Sequence, residues 1–489
     1  MILNVAISLF AVAAFAIVLW LTRIITVARN ALTSAMSGLS TMLDSALDDD
    51  AKEVAVRRAG FALIGAGFRI FLIIVAALAA AALPIYLADF AGLASRDAVF
   101  ALMLRIDYIV IVSLVVIVIA EIARRWRPAS ANSNRQTEQY STTDRFFHIV
   151  AFSSPAVLRA ASSIEDRLLS KSVAEPAVPP IFVTSLARGG TTALLNALHA
   201  IPGIATHTYR DMPFITSPRL WNRLSGGSRR GVVRRKRAHG DGLEIDLDSP
   251  EAFEEIVWKM FWPEKFRGDT IGLWTQGDRK ADAEQFFTRH MAKIVNARAV
   301  QANSNLEETW RYCSKNNANI ARIPYLVEAY PGCRIVVPVR RPESHAASLL
   351  RQHKNFQKLQ AEDGFTQRYM RDIGHFEFGR IHKPFAFPGF DAGNYDPATP
   401  DYWLAYWIAA FTEVRNHVGH CYFVHQDSLR SAPQDTIIRL CDELAIPCDG
   451  MNFSSYFRSG PDQASSDQYD PMLLDEAASL YREFEVHSG

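Results

Sequence analysis

The fold is decided by residues 181–192, which read IFVTSLARGGTT. Ile181–Ser185 is an apolar run rich in β-branched residues, which predicts a buried strand. A glycine-rich turn follows, and residues 193–198 (ALLNAL) predict the start of a helix. Strand, turn and helix in this order can hold a phosphate, because glycines let backbone N–H groups approach an anion that the helix N-terminus also attracts. The residues that we expect at such an anion are Arg188, Gly189, Gly190, Thr191 and Thr192.

This loop differs from the phosphate loop of nucleotide kinases. That motif requires Gly-Lys-Ser/Thr, and the chain has Gly189-Gly190-Thr191 with no lysine in the turn. Taken alone, the pattern also fits an ordinary strand–turn–helix connection. A second anion-binding feature elsewhere in the chain is therefore needed to decide between the two interpretations.

Such a feature follows the next buried strand, which we predict at Arg334–Val339 (RIVVPV). The strand ends in Arg340-Arg341-Pro342, and Pro342 suits the first turn of a helix. Ser348 comes eight residues after Arg340. An arginine at a strand end and a serine in the following helix can converge on one anion.

Both stretches resemble the motifs of sulfotransferases. Residues 181–192 resemble the loop for the 5′-phosphosulfate, usually written PRSGTT, and residues 334–348 resemble the motif for the 3′-phosphate. The likeness extends over roughly 179–489 and is strongest to the tyrosylprotein and bacterial branches. It implies an α/β fold of three layers, with a P-loop-like parallel sheet flanked by helices. It also implies the donor 3′-phosphoadenosine-5′-phosphosulfate (PAPS), the product adenosine 3′,5′-bisphosphate and no metal.

The chain departs from the family pattern at three positions. Ala187 and Gly189 replace the Pro and Ser of PRSGTT, and Arg341 replaces the Asp of the common RDP. These changes leave an anion cradle possible but remove one hydroxyl group.

The resemblance also implies roles in the chemistry. Lys315, in the stretch YCSKNN, is similar in position to the lysine that acts on the leaving group in tyrosylprotein sulfotransferases, where Arg188 would assist. Ser465, in ASSDQ, resembles the serine that reaches the donor in the same branch. We expect Lys315 and Arg188 to stabilise the leaving oxygen, and Ser465 to bind the donor.

The catalytic base is the weakest part of the match. The related branch has a glutamate about twenty residues after the loop arginine, where this chain has Thr208 and Tyr209. The nearest groups that can accept a proton are Asp211 and His207. We expect Asp211 to be the base, because a carboxylate usually has this role there, with His207 as the alternative. The turn at residues 237–242 (RAHGDG) is a further alternative.

The composition divides the chain into unlike parts. Its 489 residues have a formal net charge of +1, which excludes a basic coat for nucleic acid. Residues 1–125 contain only 10 basic and 9 acidic residues. They hold apolar stretches at 2–21, 70–88 and 104–123, the last of which reaches spanning length only by including charged residues. We therefore predict an all-α transmembrane region with up to three spans.

The arginines near these stretches set their sidedness. Positive charge after the first span, before the second and after the third places the N-terminus outside and Arg124 onward in the cytoplasm, and this orientation reverses if the third stretch does not cross. The five cysteines are odd in number and widely spaced, as in a reducing compartment. We expect an anchor at 1–127, a linker with loose helix at 128–178 and the sulfotransferase domain at 179–489, in a bacterial inner membrane.

The sequence thus predicts a membrane-anchored enzyme that transfers a sulfuryl group from PAPS to a hydroxyl. The location suggests an acceptor in the membrane, such as a glycan, a glycolipid or a lipid. Two alternatives stay open: a non-catalytic nucleotide-binding membrane protein of the same fold, and a P-loop phosphotransferase.

Overall fold

The computed structural model describes most of the chain: residues 2–22, 24, 27, 49–105, 108, 112, 148–169, 178–224, 235–236, 244–245, 248–303, 310–362, 364–457 and 468–486. The chain divides into two units, Met1–Asn134 and Arg135–Gly489. The predicted third span lies mostly outside the described residues, as do Ser465, the turn at 237–242 and the polar stretch at 128–144.

The first unit is helical. Its helices are α1 (Ile2–Leu21), α2 (Asp49–Phe90) and α3 (Arg96–Met103). A small apolar cluster joins them through the buried residues Ala11, Ile85 and Val99, one from each helix. Large apolar side chains are exposed along α2 between Phe68 and Phe90, with Phe90 at 94% exposure. Exposed apolar side chains along a long helix are typical of a surface that meets lipid or another protein.

One helix in the described part of the chain is long and apolar enough to cross a bilayer. It is the segment Gly65–Phe90 of α2, and a shorter apolar helix covers Leu3–Leu19. The prediction of several spans is therefore not supported, although residues 70–88 do lie within a helix of spanning length. The sequence predicted the second span at 70–88, where no residue is charged. The observed helix begins earlier, at Asp49, because a helix with charged residues can continue beyond the hydrocarbon core.

The second unit contains the remaining secondary structure. Its strands are β1 (Ile181–Val183), β2 (Ile204–Ala205), β3 (Arg235–Lys236), β4 (Glu244–Ile245), β5 (Arg311–Lys315), β6 (Arg334–Val339) and β7 (Cys421–His425). Its helices are α4 (Pro155–Leu169), α5 (Thr191–His199), α6 (Pro218–Leu224), α7 (Glu255–Phe261), α8 (Ala281–Gln301), α9 (Ile323–Ala329), α10 (Pro342–Glu362), α11 (Gly364–Ile373), α12 (Pro400–Arg415), α13 (Gln426–Ser431), α14 (Pro433–Leu444) and α15 (Pro471–Val486).

Five strands form one parallel sheet in the order β2-β5-β1-β6-β7. β1 lies in the centre, where Val183 is paired with Lys315 of β5 and with Val336 of β6. Because parallel strands end at the same edge, the chain segments that follow β1, β5 and β6 meet there. The predicted α/β fold with a parallel sheet flanked by helices is confirmed.

Both faces of the sheet are covered, as the continuous apolar character of its strands requires. Ile181 and Val183 pack with α5 and α14 on one face. Phe182 points to the other face, where α8 and α12 contribute to a larger aromatic core. The strand predicted at 334–339 and the helix predicted to begin at Pro342 are present with those bounds.

Part of the segment that the sequence assigned to a linker is packed into the second unit. Leu158 of α4 is buried in its main core, and its carbonyl oxygen accepts a hydrogen bond from Thr216 Oγ1 at 2.7 Å. Glu165 accepts a hydrogen bond from the Leu220 backbone N–H at 2.7 Å. The alternation of small and apolar residues in α4 therefore reflects a helix that covers the core.

Candidate active site

The segment between β1 and α5 is a tight loop at the carboxyl edge of the sheet. Thr184 N donates to Val336 O at 2.9 Å, and Gly189 N donates to Leu186 O at 3.1 Å, so the loop folds back directly after the strand. Gly190 precedes α5 with φ +98°, a left-handed conformation that favours glycine. The first N–H groups of a helix lack partners within the helix, so those of α5 are available to an anion at this edge.

Gly189 is needed because the loop is closely packed. A Cβ atom at this position would lie 2.7 Å from Ser185 Oγ and 3.1 Å from His345 Cε1. His345 in turn bonds through Nε2 to the Ala187 carbonyl oxygen at 2.8 Å. The loop is therefore held in its shape from the side of α10.

Ser185 provides a test of whether the loop suits an anionic ligand. Its hydroxyl oxygen is buried and has no hydrogen-bond partner among the described residues. A buried hydroxyl without a partner is costly unless a ligand or water supplies one. Together with the adjacent helix N-terminus and arginines, this hydroxyl fits a bound phosphate or sulfate group.

The two motifs found in the sequence lie side by side. Arg340 Nη1 donates to the Arg188 carbonyl oxygen at 3.0 Å, and Arg188 Nε donates to Ser348 Oγ at 3.3 Å. Arg340 and Ser348 are 7% and 4% exposed, so both are held in place by their surroundings. Arg188 has φ +71°, an uncommon conformation for a residue with a side chain. The structure thus brings together the arginine of the first motif with the arginine and the serine of the second.

Thr191 and Thr192 begin α5. Thr191 is buried and donates from Oγ1 to Asn317 Oδ1 at 3.1 Å, which ties the loop after β1 to the segment after β5. Thr192 is half-buried at the second position of the helix.

Lys315 ends β5, opposite the residue from which the loop begins. Its Nζ atom lies 4.0 Å from Glu251 Oε1, and both side chains are buried. Glu251 also accepts hydrogen bonds from Tyr209 Oη at 2.7 Å and from the Ala252 backbone N–H at 2.9 Å. Sequence reasoning missed Glu251, although it lies against Tyr209, one of the two positions where the related branch has its glutamate.

Asp211 is fully buried and heavily engaged. It forms an ion pair with Arg298, accepts a hydrogen bond from the Thr208 backbone N–H at 2.9 Å, and lies 3.5 Å from His207 Nδ1. Burial would raise the pKa of Asp211, but the Arg298 guanidinium and His207 outweigh it and hold the pKa well below its usual range. These contacts are those of a carboxylate that fixes the turn after β2, so the base role of Asp211 stays a prediction.

His207 is equally enclosed, with 2% exposure. Its Nε2 atom lies 3.0 Å from Nε2 of His290, and the two rings are stacked. Burial, with a smaller contribution from His207, lowers the pKa of His290 well below its ordinary value. The pair therefore belongs to the buried core beside Asp211, and the contacts of His207 give no support to the alternative in which it is the base.

A cleft adjoins the other side of the loop. It is narrow and is bounded by Leu186 and Ala187 of the loop, by Asn316–Ala318 after β5, and by residues 374–377. Asn317 connects these parts, because its Nδ2 donates to Glu377 Oε1 at 3.3 Å while its Oδ1 accepts from Thr191. Neither Asn317 nor Glu377 was singled out from the sequence. Asn317 could have been noticed because it comes two residues after Lys315, whereas Glu377 has no comparable signal in the sequence.

A buried network supports the floor of the cleft. Glu255 forms hydrogen bonds with both terminal nitrogens of Arg322, at 2.6 and 2.7 Å. The Arg322 guanidinium lies between the rings of Trp258 and Trp274, at 4.5 and 4.0 Å from their centroids. Asn316 Nδ2 donates to Glu255 at 2.9 Å, so the network fixes the segment that follows β5.

The comparison with protein families agrees with the motifs. Residues 179–383 match the model of the sulfotransferase family. A sulfotransferase of Mycobacterium avium is similar in structure at a TM-score of 0.37 and 12% identity, over 76% of this chain and 87% of that chain. One from Mycobacterium tuberculosis H37Rv has a TM-score of 0.35 at 13% identity, over 70% and 80%. A comparison with curated proteins finds no match. The family match covers residues 179–383, which is less than half of the chain.

Proposed function

We propose that the chain is a PAPS-dependent sulfotransferase that acts on a hydroxyl group at a membrane. The observation that carries the proposal is the contact between the two anion-binding motifs, in which Arg340 donates to the backbone of Arg188. A donor with phosphate groups at both the 5′ and the 3′ positions requires two such anion sites within one nucleotide length. The sulfotransferase family domain supports the same activity.

The residues predicted to bind the donor each have a place in this proposal, and Asp211, with His207 as the alternative, stays the predicted base. Arg188 and the loop Gly189–Thr192 would hold the 5′-phosphosulfate through N–H groups, hydroxyls and one guanidinium. The 3′-phosphate would be bound by Arg340 and Ser348, and Ser465, from a segment outside the described residues, would also contact the donor.

When PAPS is bound, it supplies an activated sulfuryl group. The chain must align a hydroxyl with it, accept the hydroxyl proton and stabilise negative charge on the leaving oxygen. Lys315 and Arg188 would stabilise the leaving oxygen. Glu251 would orient Lys315, since the carboxylate lies 4.0 Å from its Nζ atom.

The membrane part of the proposal rests on the first unit. Gly65–Phe90 has the length and hydropathy of a spanning helix, and large apolar side chains along it are exposed. We propose an anchor at 1–127, a linker with loose helix at 128–178, part of which packs as α4 into the second unit, and a cytoplasmic catalytic domain at 179–489, where cytosolic PAPS needs no transport. In fractionated cells, we expect the full-length protein to stay with the membranes after extraction with alkaline carbonate; release into the supernatant would refute integral membrane anchoring.

Donor binding can be tested without knowledge of the acceptor. Adenosine 3′,5′-bisphosphate should raise the melting temperature of the wild-type protein, because a ligand of the native state stabilises it. Arg340→Ala should weaken this binding by roughly 10- to 100-fold, since hydrogen bonds to charged groups contribute about 1.5–3 kcal/mol. Arg341→Ala is the matched control, because Arg341 is the next residue, is exposed and pairs with Asp427 instead.

The outcomes separate the proposal from its alternatives. No shift in the wild type, or equal affinities in wild type and Arg340→Ala, would refute the donor site. A larger shift with ATP and Mg²⁺ than with adenosine 3′,5′-bisphosphate would favour a phosphotransferase. Donor binding without transfer of radioactive sulfate to any component of the host membranes would favour a non-catalytic protein.

A further inference from the structure

A groove in the second unit lies at the opposite end of α5 from the loop that follows β1. Its volume of about 810 Å³ lies within the range of roughly 300–1,000 Å³ that is typical of small-molecule sites. His199, the last residue of α5, lines the groove, whereas Thr191 begins the helix at the loop. At a rise of 1.5 Å per residue, α5 separates these two residues by about 12 Å. The groove is therefore distinct from the proposed donor site.

Positive charge predominates along the groove. Two of its arginines already have carboxylate partners. Arg210 donates to both oxygens of Asp248, at 2.6 and 2.7 Å, and Arg298 is paired with Asp211. Among the described residues, the arginines and carboxylates that line the groove are Arg210, Arg219, Arg223, Arg298 and Asp248. The lining thus has more guanidinium groups than its one carboxylate can neutralise.

The charge that is left is concentrated at Arg219 and Arg223 on α6. Residues four apart are neighbours on a helix, and like charges at this spacing repel each other. Burial lowers the pKa of Arg219, and Arg223 lowers it further, although Glu165 opposes the shift. Arg223 is exposed and forms no hydrogen bond or ion pair with the described residues. An anion bound by both guanidinium groups would remove the repulsion and supply Arg223 with a partner.

The sequence adds positive charge next to this pair. The chain leaves the groove after Arg223 and returns to it at Asp248. In the intervening segment, residues 229–237 (RRGVVRRKR) include six basic residues. A concentration of one sign of charge attracts ligands of the opposite sign and speeds their association. The proposed sulfuryl transfer does not use these residues.

The rest of the groove has apolar side chains that solvent can reach. Val300, near the end of α8, is 58% exposed. Pro202 is exposed after α5, and Trp310 is partly buried before β5. Arginines beside accessible apolar side chains suit a ligand with an anionic group attached to an apolar chain, since each part then meets a complementary surface.

We propose that the groove binds an anionic lipid through its phosphate group. Arg219 and Arg223 hold the phosphate, while Pro202, Val300 and Trp310 contact the adjoining part of the acyl chains. A soluble phosphate ester would present the same headgroup chemistry, but it would leave the apolar side chains without a partner. This lipid site goes beyond the proposed sulfotransferase activity and does not depend on it.

The test uses the full-length protein in an uncharged detergent and tritium-labelled dioctanoyl phosphatidic acid as the probe. The wild type should bind the lipid, and the affinity should fall as the salt concentration rises. Arg223→Gln should weaken binding by roughly 10-fold or more, because hydrogen bonds to a charged group are lost. Arg223→Lys should lose less, since it keeps the charge without the planar fork. Arg289→Gln is the matched control, because Arg289 is an exposed arginine of α8 that does not line the groove.

Competition experiments separate the two sources of phosphate and the two sites. Inorganic phosphate should displace the lipid only at concentrations at least about tenfold higher, because it lacks the apolar contacts. Val300→Ser should weaken lipid binding and leave the affinity for inorganic phosphate unchanged. Dioctanoyl phosphatidylcholine, which has no net charge, should not compete. Saturating adenosine 3′,5′-bisphosphate should leave lipid binding unchanged, and Arg223→Gln should bind this nucleotide like the wild type.

Each contrary result overturns a defined part of the proposal. Lipid binding by Arg223→Gln within about threefold of the wild-type affinity, or an equal loss in Arg289→Gln, would refute the headgroup site. Displacement of the lipid by adenosine 3′,5′-bisphosphate would place the lipid at the donor loop instead. Inorganic phosphate that competes as well as the lipid itself would refute the apolar contacts and assign the groove to soluble phosphate compounds. Binding of the lipid with the expected dependence on Arg223, in a protein that fails to bind adenosine 3′,5′-bisphosphate, would support the lipid site and refute the donor site.

Discussion

Asp211→Asn separates a structural carboxylate from a catalytic one. The substitution removes one charge from a fully buried ion pair and keeps the shape of the side chain, so an oxygen can still accept the Thr208 backbone N–H. Arg298, which is 5% exposed, is then left as a buried cation without its counter-ion. Breaking a buried pair by removal of one partner costs about 3–5 kcal/mol. Since domains are stable by roughly 5–15 kcal/mol, this loss would take a large part of the free energy of unfolding.

The assay compares urea denaturation of Asp211→Asn with that of Asp475→Asn, a control at an exposed position on α15. The control should unfold like the wild type. The double variant Asp211→Asn/Arg298→Met should recover part of the loss, because the unpaired cation is gone. At a pH where the variant is folded, Asp211→Asn should keep both donor binding and sulfuryl transfer if another residue is the catalytic base.

The pH dependence has a defined sign. Because the pKa of Asp211 is held below its usual range in the folded protein, the carboxylate stabilises the fold above the unfolded pKa of about 3.9. That contribution is lost as the pH falls below this value, so the difference between wild type and Asp211→Asn should shrink there. A variant as stable as the wild type that binds donor but loses transfer by 100-fold would refute this reasoning and establish Asp211 as the base.

Two other perturbations test the site and the core. Gly189→Ala should abolish the thermal shift with adenosine 3′,5′-bisphosphate, because the added Cβ would lie 2.7 Å from Ser185 Oγ and open the loop; an undiminished shift would show that the loop shape is not required. Burial lowers the pKa of His353 to about 4 and that of His382 to about 3, so the unfolded chain takes up protons below pH 6.5 that the folded chain does not. Stability measured by urea denaturation should therefore fall between pH 6.5 and pH 4, and His353→Gln should reduce the slope; a stability independent of pH in this interval would contradict the buried neutral state of both rings.

The strand, turn and helix at 181–198 could be predicted from sequence because their signals are local. A β-branched run, paired glycines and an apolar helix start lie within residues 181–198, and β6 and α10 repeat the order of strand and helix at 334–350 without the glycines. Such patterns predict the folded structure well, because strand, turn and helix are each specified by neighbouring residues. That both motifs lie at one edge follows from the parallel sheet that they imply.

The contacts of the candidate carboxylates could not be predicted in the same way. Asp211 was chosen for its distance along the chain from the loop, and its partner Arg298 comes 87 residues later on α8. Glu377 belongs to an irregular segment without periodicity, and only its contact with Asn317, 60 residues away, relates it to the loop. Such contacts between residues far apart in sequence determine whether a carboxylate forms an ion pair or a hydrogen bond, and the sequence does not show them.

The position of β1 has a consequence for how the protein is made. Ile181 is paired with Cys313 on one side and with Arg334 on the other. The central strand therefore cannot pair until more than 130 further residues have been synthesised. At about 5–20 residues per second, this interval is on the order of 10 s. During that time the apolar strand and its loop have left the ribosome without a sheet, while the helix at Gly65–Phe90 emerged long before. Nascent chains that end before residue 334 should therefore depend on chaperones and be unable to bind nucleotide.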